Sequence, residues 1–582
     1  MNTISPVNLQ KKLWNITTDI DSLKTTEFSK MLNINTSLAS LLINRGIDTF
    51  DKAKDFFRPE LEQLYNPFLM KDMDRAVDRL IQAQNNHEKI LIYGDYDVDG
   101  TTAVSMFYGF FSNFHSELYY YIPDRYKEGY GVSKIGIDWA ASKGITLIIT
   151  LDCGIKSFEA TKYAQAKGID CILCDHHEPG DTLPEAYAVL DPKRKDCTYP
   201  FKELSGCGVG FKFLHAYCLQ NKTTLSLLFE QIDLVTISIA ADIVPIVDEN
   251  RIIAFWGLNA LNQLKRPGIK ALSGISGFKK SLTITDVVFG LSPRINAAGR
   301  IGHADSAVKL LLSQSEEEAN IWAEKLNTKN ALRKDYDATI TAEALEMIRS
   351  KDNKYSFSTV LFKEDWHKGV IGIVASRCIE HFYRPTIILC ESEGKISGSA
   401  RSVDSFDLYA ALCECDDLLE QWGGHAHAAG LTIKSENIKP FKDRFETVVS
   451  RKILPHQLVP SIKIDAIIQL DQITEKLYHV ISQMAPFGPG NMQPIFLSQR
   501  LTDKGSARIL KEKHLKMKLS ILGSNISFDA IGFGMAHFFD QIVASTSFDV
   551  CYQIDFNEFM GKKSIQLLIK DIHFEEQSES FN

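Results

Sequence analysis

The chain has 582 residues, too many for a single hydrophobic core, so it should fold as about three or four domains. Apolar residues make up 45% and charged residues 24%, the balance of an ordinary globular protein, and no apolar run reaches the ~18 residues of a bilayer span. The net charge of −8 excludes a surface uniformly coated for nucleic acid and leaves only local basic patches open.

The opening "MNTISPVNLQKKLW" lacks the charged, apolar and small-residue series of a secretory leader, and a cytoplasmic protein is expected. The 11 cysteines are odd in number and irregularly spaced, which suits reduced thiols. Residues 1–65 read as an N-terminal helical segment. From about 88 to 255, short aliphatic runs ("KILIYG", "ELYYYIP", "ITLIITLD", "DCILCDHH", "AYAVLDP") alternate with helical patterns such as "TTAVSMFYGFFSNF". That alternation predicts a parallel sheet covered by helices, with ligands bound beyond the carboxyl ends of the strands. "CILC" lies inside one of these runs, where positions three apart face opposite sides, so it reads as structural.

The acids gather at those ends. "YGDYDVDG" puts Asp95, Asp97 and Asp99 after one strand; Asp152 ends a second; Asp175, His176 and His177 end a third; Asp242 lies in "SIAADIVPI". Each alone is more simply a helix cap, a turn residue or a satisfied core group. Together, several close carboxylates repel by roughly 1 to 4 kcal/mol per pair and call for a cation. Oxygen ligands with imidazole suit Mg²⁺ or Mn²⁺ rather than structural zinc. Two such ions generate a nucleophile near neutral pH and stabilise both oxygens of a phosphoryl displacement, which points to a phosphate substrate.

Residues 316–350 lack proline and glycine and predict a long linking helix. "WHKGVIGIVASR" reads as a loop feeding a helix N-terminus, and "GGHAHAAG" as either a tight turn or a close backbone approach. Beyond 455, six short strand-like runs favour a small barrel. The stretch 500–518 carries seven basic residues against Asp503 and Glu512, and is either a solvated edge strand or a nucleic-acid surface.

"GDYDVDGTTA", "LDCG", "DHHEP" and "AADIVPI", in this order, resemble the four motifs of the DHH phosphoesterase superfamily. "NPF" at 66–68, "IPDRYKEGYGV", "YPFKELSGCGVGFK", "SPRINAAGRIGHADSAVKLL", "WHKGVIGIVASR", "SGSARS" and "GGHAHAAG" narrow the resemblance to the bacterial exonucleases specific for single-stranded DNA, with the DHHA1 half included.

The resemblance implies an α/β fold: an N-terminal segment (1–65), a parallel-sheet DHH domain (66–315), a linking helix (316–350), an α/β DHHA1 domain (351–453), an oligonucleotide-binding β-barrel (455–575) and a tail (576–582). It further implies two divalent cations, Mn²⁺ or Mg²⁺, on Asp95, Asp97, Asp99, Asp152, His176 and Asp242, with Asp152 bridging. Tyr93 stands where pyrophosphatase relatives carry a histidine ligand, which leaves that role to Asp95. His177 would face the scissile phosphate, and the catalytic group would be Asp97, Asp99, Asp152, His176 and His177. Arg125, Arg300, Ser399 and Arg401 would hold a 5′-phosphate, with His425 reaching the backbone.

The activity so implied is 5′-to-3′ degradation of single-stranded DNA to 5′-mononucleotides in repair and recombination. The chain would act as a monomer alongside a single-strand-binding protein and a RecQ-type helicase. The alternatives are a DHH phosphodiesterase acting on short RNA or cyclic dinucleotides, and a non-catalytic single-strand-binding factor, which would lack several of these acids.

Overall fold

The computed structural model describes residues 12–17, 21–349, 356–559 and 562–574. Residue 350 of the expected linking helix, the first residues of the expected 351–453 domain and the 576–582 tail lie outside the described residues. The chain separates into two units: Leu61–Leu458 forms one, and Leu9–Glu60 joins Val459–Asn582 in the other.

The N-terminal segment begins with a short strand, β1 (Leu13–Ile16), followed by helices Ser22–Leu32, Thr36–Asn44 and Phe50–Phe57. The first unit then opens on a parallel sheet of β2 (Ile90–Gly94), β3 (Leu118–Tyr121), β4 (Leu147–Leu151), β5 (Asp170–Cys174) and β6 (Ala188–Leu190), in the order β3-β2-β4-β5-β6. β2 and β4 are buried at every position, as strands covered on both faces must be, and their sequences are correspondingly almost wholly aliphatic. Cys171 and Cys174 of "CILC" are both buried free thiols in β5.

The register is level across four strands: Gly94 pairs with Leu151, Leu151 with Cys174, and Cys174 with Leu190. The residues that follow this rung are Asp95, Asp152, Asp175 and Asp191. From β2 the chain goes one way to β3, then crosses back to β4 on the other side. The reversal between β2 and β4 is the switch point at which such sheets open a crevice. Helices Val98–Phe111 and Gly206–Gln220 back this sheet, and Ile232–Ala241 packs on those two helices; all three are apolar nearly all round.

A single helix, Glu316–Arg349, spans 34 residues of the expected link. Beyond it, β7 (Thr359–Phe362), β8 (Thr386–Ser392), β9 (Lys395–Arg401), β10 (Leu419–His425) and β11 (Ala428–Ile433) form a sheet in the order β10-β11-β9-β8-β7, flanked by helices Ile371–His381 and Ile438–Lys452. "GGHAHAAG" is the β10–β11 hairpin, with Gly423 opposite Gly430 and His425 opposite Ala428.

In the second unit, β12 (Ser461–Ile464) pairs in parallel with β1. It is followed by β13 (Ala466–Ile467), β14 (Phe496–Asp503), β15 (Arg508–Leu510), β16 (His514–Ile521), β17 (Ser527–Gly532), β18 (Phe548–Phe559) and β19 (Lys562–Phe574). The order β14-β18-β19-β17-β16, closed by a β14–β16 pairing, is a five-stranded barrel of the oligonucleotide-binding kind. Leu38, Leu41 and Leu42 from the N-terminal helices share its core with Leu477 and Ile481. Within the basic stretch, Arg508 of β15 lies directly opposite Lys516 of β16, a like-charge pair that makes the edge a positive stripe.

Candidate active site

Each acid at the rim is placed by a local device. Asp97 caps the helix Val98–Phe111, its Oδ1 accepting the Gly100 N–H at 3.1 Å. Asp99, in the first turn of that helix, is buried and accepts the N–H groups of Gly206 and Cys207 and the Ser238 hydroxyl, each at 2.7 Å. Asp152 leaves β4 with φ at 62°, a left-handed turn uncommon for a residue other than glycine. Gly206 lets that turn approach the start of helix Gly206–Gln220, since a Cβ there would lie 2.5 Å from the Asp152 Cβ.

His176 collects these groups. Its Nε2 lies 3.3 Å from Asp152 Oδ1, 3.6 Å from Asp242 Oδ2 and 3.8 Å from Asp99 Oδ2. Three sets of ligand atoms are each mutually within 4.8 Å: Asp95, Asp97 and Asp152; Asp152, His176 and His177; Asp99, His176 and Asp242. Asp152 and His176 each belong to two of them.

Asp95 Oδ1 and His176 Nε2, the ring nitrogen that faces the acids, are buried without a hydrogen-bond partner. Buried polar atoms left open in this way are costly unless something fills the space between them. A donor set of carboxylate oxygens and imidazole, with no cysteine among it, fits Mg²⁺ or Mn²⁺.

The electrostatics agree with this arrangement. Burial, and then the neighbouring acids, hold the carboxyls of Asp95, Asp152 and Asp242 well above the usual carboxylate range, and Asp99 is pushed up to about 6 by the same two causes. Burial and the adjacent His177 push His176 down to about 3, which keeps it neutral and able to ligate. For Asp175, burial raises the carboxyl, but the His177 hydrogen bond and charge bring it down to about 2. Burial opposes the charge on His177, yet Asp175 raises it to about 9.

A second cluster is basic. The Arg125 guanidinium lies over the Tyr96 ring, 4.9 Å from its centroid. Arg300 donates from Nη1 to the Gly369 carbonyl at 2.9 Å, and Arg401 donates to the Ser399 hydroxyl at 3.0 Å from the same face of β9. Burial, then Arg125 and Arg401, push Arg300 down to about 10. Among the described residues, no carboxylate pairs with any of these three arginines within 4.0 Å. Gly372, beside the start of helix Ile371–His381, brings backbone against them, because a Cβ there would sit 2.8 Å from Ser399 Oγ and 2.9 Å from Arg401 Nη2. Three convergent guanidinium groups beside a helix start make an anion pocket. His425 closes β10 at the hairpin, where its imidazole is lowered by burial, then His427, Arg401 and His177.

Sequence reasoning passed over several groups that this geometry brings in. Asp191 completes the level row of acids after β6 and is fully buried. Its signal was present, since it is the fourth aliphatic run to end in aspartate. Tyr130, flanked by Gly129 and Gly131 in left-handed turns, reaches His177 Nδ1 at 3.1 Å and the Asp152 carbonyl at 3.3 Å through its hydroxyl. Ser238, which anchors Asp99, left no signal in an apolar helix.

Family models match three consecutive stretches: the DHH family N-terminal domain at 89–239, the DHHA1 domain at 352–451 and the RecJ OB domain at 464–571. The chain is 37% identical over 555 residues to the single-stranded-DNA-specific exonuclease RecJ of Bacillus subtilis, covering 95% of this chain and 70% of the relative. It is 32% identical over 525 residues to the Escherichia coli protein of the same name, covering 86% and 90%. Among solved structures, RecJ from Thermus thermophilus in complex with Mn²⁺ superposes with a TM-score of 0.83 at 24% identity, covering 97% of this chain and 80% of that one. An exonuclease RecJ bound to manganese matches at 0.59 and 29% identity, over 68% of this chain and 98% of that one. With domains of all three kinds in order, and with 37% and 32% identity over 95% and 86% of its length to these two relatives, the chain belongs to the RecJ family of single-stranded-DNA-specific exonucleases.

Proposed function

We propose that this protein is a metal-dependent exonuclease that degrades single-stranded DNA from the 5′ end and releases 5′-mononucleotides, in DNA repair and recombination. The observation that carries the reading is the pairing of a carboxylate–imidazole cluster, with buried ligand atoms left open, and a carboxylate-free arginine pocket whose charge, through Arg125, is felt at Asp95.

Asp95, Asp97, Asp99, Asp152, His176 and Asp242 would hold two divalent cations, Mn²⁺ or Mg²⁺, with Asp152 shared. When bound, such a pair supplies a nucleophilic water at neutral pH and compensates the charge on the attacking and leaving oxygens. The chain's own residues do the rest. Arg125, Arg300, Ser399 and Arg401 hold the terminal 5′-phosphate, which sets the next phosphodiester over the cluster and fixes polarity. His177 keeps Nδ1–H on Asp175 and turns Nε2 toward the scissile phosphate as a donor, while His425 meets the backbone beyond. The chain works as a monomer on single strands, so a single-strand-binding protein and a RecQ-type helicase are the partners that would present its substrate.

Strands labelled at either end test the reading. A 5′ label should appear at once as mononucleotide and a 3′ label should shorten progressively, both only with Mn²⁺ or Mg²⁺; the reverse order, or cleavage in chelator, would refute it.

A further inference from the structure

Ile243 is the anomaly beside the cluster. It follows Asp242 at the end of helix Ile232–Ala241, where the backbone swings from φ −84° at Asp242 to φ 61° at Ile243. Glycine or asparagine normally takes this position, and a β-branched residue in a left-handed turn is a true outlier because its side chain crowds its own backbone. Such strain persists where it serves a site.

The neighbours show what the chain does with its other apolar residues here. Val244 and Ile246 are buried, and Asn250 pins the segment by donating to the Pro245 carbonyl at 3.0 Å and the Glu203 carbonyl at 2.5 Å. Ile243 instead is 63% exposed. A glycine would relieve the turn and a polar side chain would suit the exposure; isoleucine does neither. One peptide away, the Asp242 carboxylate faces His176 Nε2 at 3.6 Å.

We propose that Ile243 is a substrate contact, its side chain packing against the deoxyribose and base of the nucleotide whose phosphodiester lies over the cluster. This rests on the exonuclease reading above. An aliphatic contact of this kind tolerates every base, because all four present the same sugar and an apolar face, so it suits an enzyme that must accept each nucleotide in turn. It also complements the arginine pocket, which grips charge alone.

The test uses the full chain with Ile243→Gly, Ile243→Asn and Ile243→Val, reading kcat and KM on single-stranded DNA, Mn²⁺ affinity by calorimetry and the thermal midpoint. Glycine and asparagine both accept the left-handed turn, so either variant gives the answer if the other folds poorly. Both should hold or raise the wild-type midpoint and keep the Mn²⁺ affinity, while KM rises about tenfold, the scale on which removing a small apolar group acts; valine, which keeps the branch, should stay within about twofold. An unchanged KM in a folded glycine or asparagine variant overturns the proposal. So does a loss of activity matched by an equal loss of Mn²⁺ affinity, which would make Ile243 a prop for Asp242. A wild-type chain without exonuclease activity sinks the functional reading itself, and this contact with it.

Discussion

Asp175 Oδ1 lies 2.7 Å from His177 Nδ1 and also accepts the backbone N–H groups of His176 at 2.8 Å and His177 at 3.2 Å, while Oδ2 takes the N–H of Ile155 at 2.8 Å. An ionised carboxylate only accepts, so Nδ1 of His177 carries a proton toward it, and with the imidazole raised to about 9 the ring keeps a second N–H at Nε2 for the site. With both oxygens so engaged, Asp175 is placed to orient His177 rather than to ligate an ion. Asp175→Asn keeps the volume but puts an amide where these N–H groups need an acceptor. Activity on single strands should drop about 10- to 100-fold with the fold retained, as measured by steady-state kinetics and circular dichroism; wild-type rates would remove Asp175 from that role.

Asp99 differs in kind. Its two oxygens accept from Gly206, Cys207 and Ser238, yet the same carboxylate lies 3.8 Å from His176 Nε2 and belongs to a set that could surround an ion. The surrounding donors orient it toward that role. Asp99→Ala should abolish cleavage with either Mg²⁺ or Mn²⁺ while single-strand binding persists in a filter or fluorescence assay. Near-normal turnover would mean that Asp99 only ties helices together.

How far the site could be read in advance follows from what each residue depends on. Asp95, Asp152 and Asp175 announced themselves because each ends an aliphatic run, and parallel strands in level register turn that pattern into a row. Asp191 obeys the same rule, but "LDP" looks like an ordinary turn until the register is known. Ser238 and Tyr130 act through contacts between elements, of which a local pattern carries no trace. Likewise, residues 1–65 read as a helical segment by themselves. The pairing of β1 with β12, and the core shared by the helices between 22 and 57 with the barrel, join stretches more than four hundred residues apart. Periodicity marks which face is apolar, not what it meets.

Asp191 makes stability depend on pH. Burial pushes its carboxyl up to about 7; Oδ1 accepts the Lys193 N–H at 2.7 Å, and Oδ2 is buried without a partner. A carboxyl raised in the folded state holds its proton more tightly there than in the unfolded chain. Its contribution is therefore complete below the ordinary value near 4 and is lost as pH rises through about 7, at a cost of up to about 4 kcal/mol. Asp191→Asn keeps the acceptor for Lys193 and removes the charge. With saturating Mn²⁺, the variant's melting midpoint should match wild type near pH 4.5 and exceed it by a few degrees at pH 8. A difference that stays flat with pH would show that Asp191 is not ionising in the core.

The two units invite separation. Leu61–Leu458 holds the acid row, the arginine pocket and its own apolar cores. The second unit carries the stripe in which Arg508 faces Lys516. A chain of residues 61–458 should fold and still cleave short strands, but bind long single strands more weakly. The slope of log affinity against log salt should also become shallower, by about 0.7 for each phosphate that the shortened chain no longer neutralises. Binding titrations at several salt concentrations decide this; an unchanged slope would assign the stripe to another task.

Polarity needs a group that recognises one end of the strand, because a cluster of shared carboxylates has no intrinsic preference between ends. Arg401 is the best placed. It shares a face of β9 with Ser399, to which it donates at 3.0 Å, and it donates to the Ala400 carbonyl at 2.8 Å, so its guanidinium is aimed before any ligand arrives. Burial, then the charge of Arg125, hold it below the usual arginine range; a guanidinium keeps its proton in proteins, so this is a desolvated cation with an anion still to satisfy. Arg401→Ala should cost about 1.5 to 3 kcal/mol on 5′-phosphorylated strands, the worth of one hydrogen bond to a charged group. On 5′-hydroxyl strands the loss should be small, so the advantage of the phosphate shrinks in parallel, while Mn²⁺ affinity holds. The measurement is cleavage efficiency on both ends for wild type and Arg401→Ala. If the variant keeps the full wild-type preference for a 5′-phosphate, Arg401 does not read the end, and Arg125 and Arg300 must hold that phosphate without it.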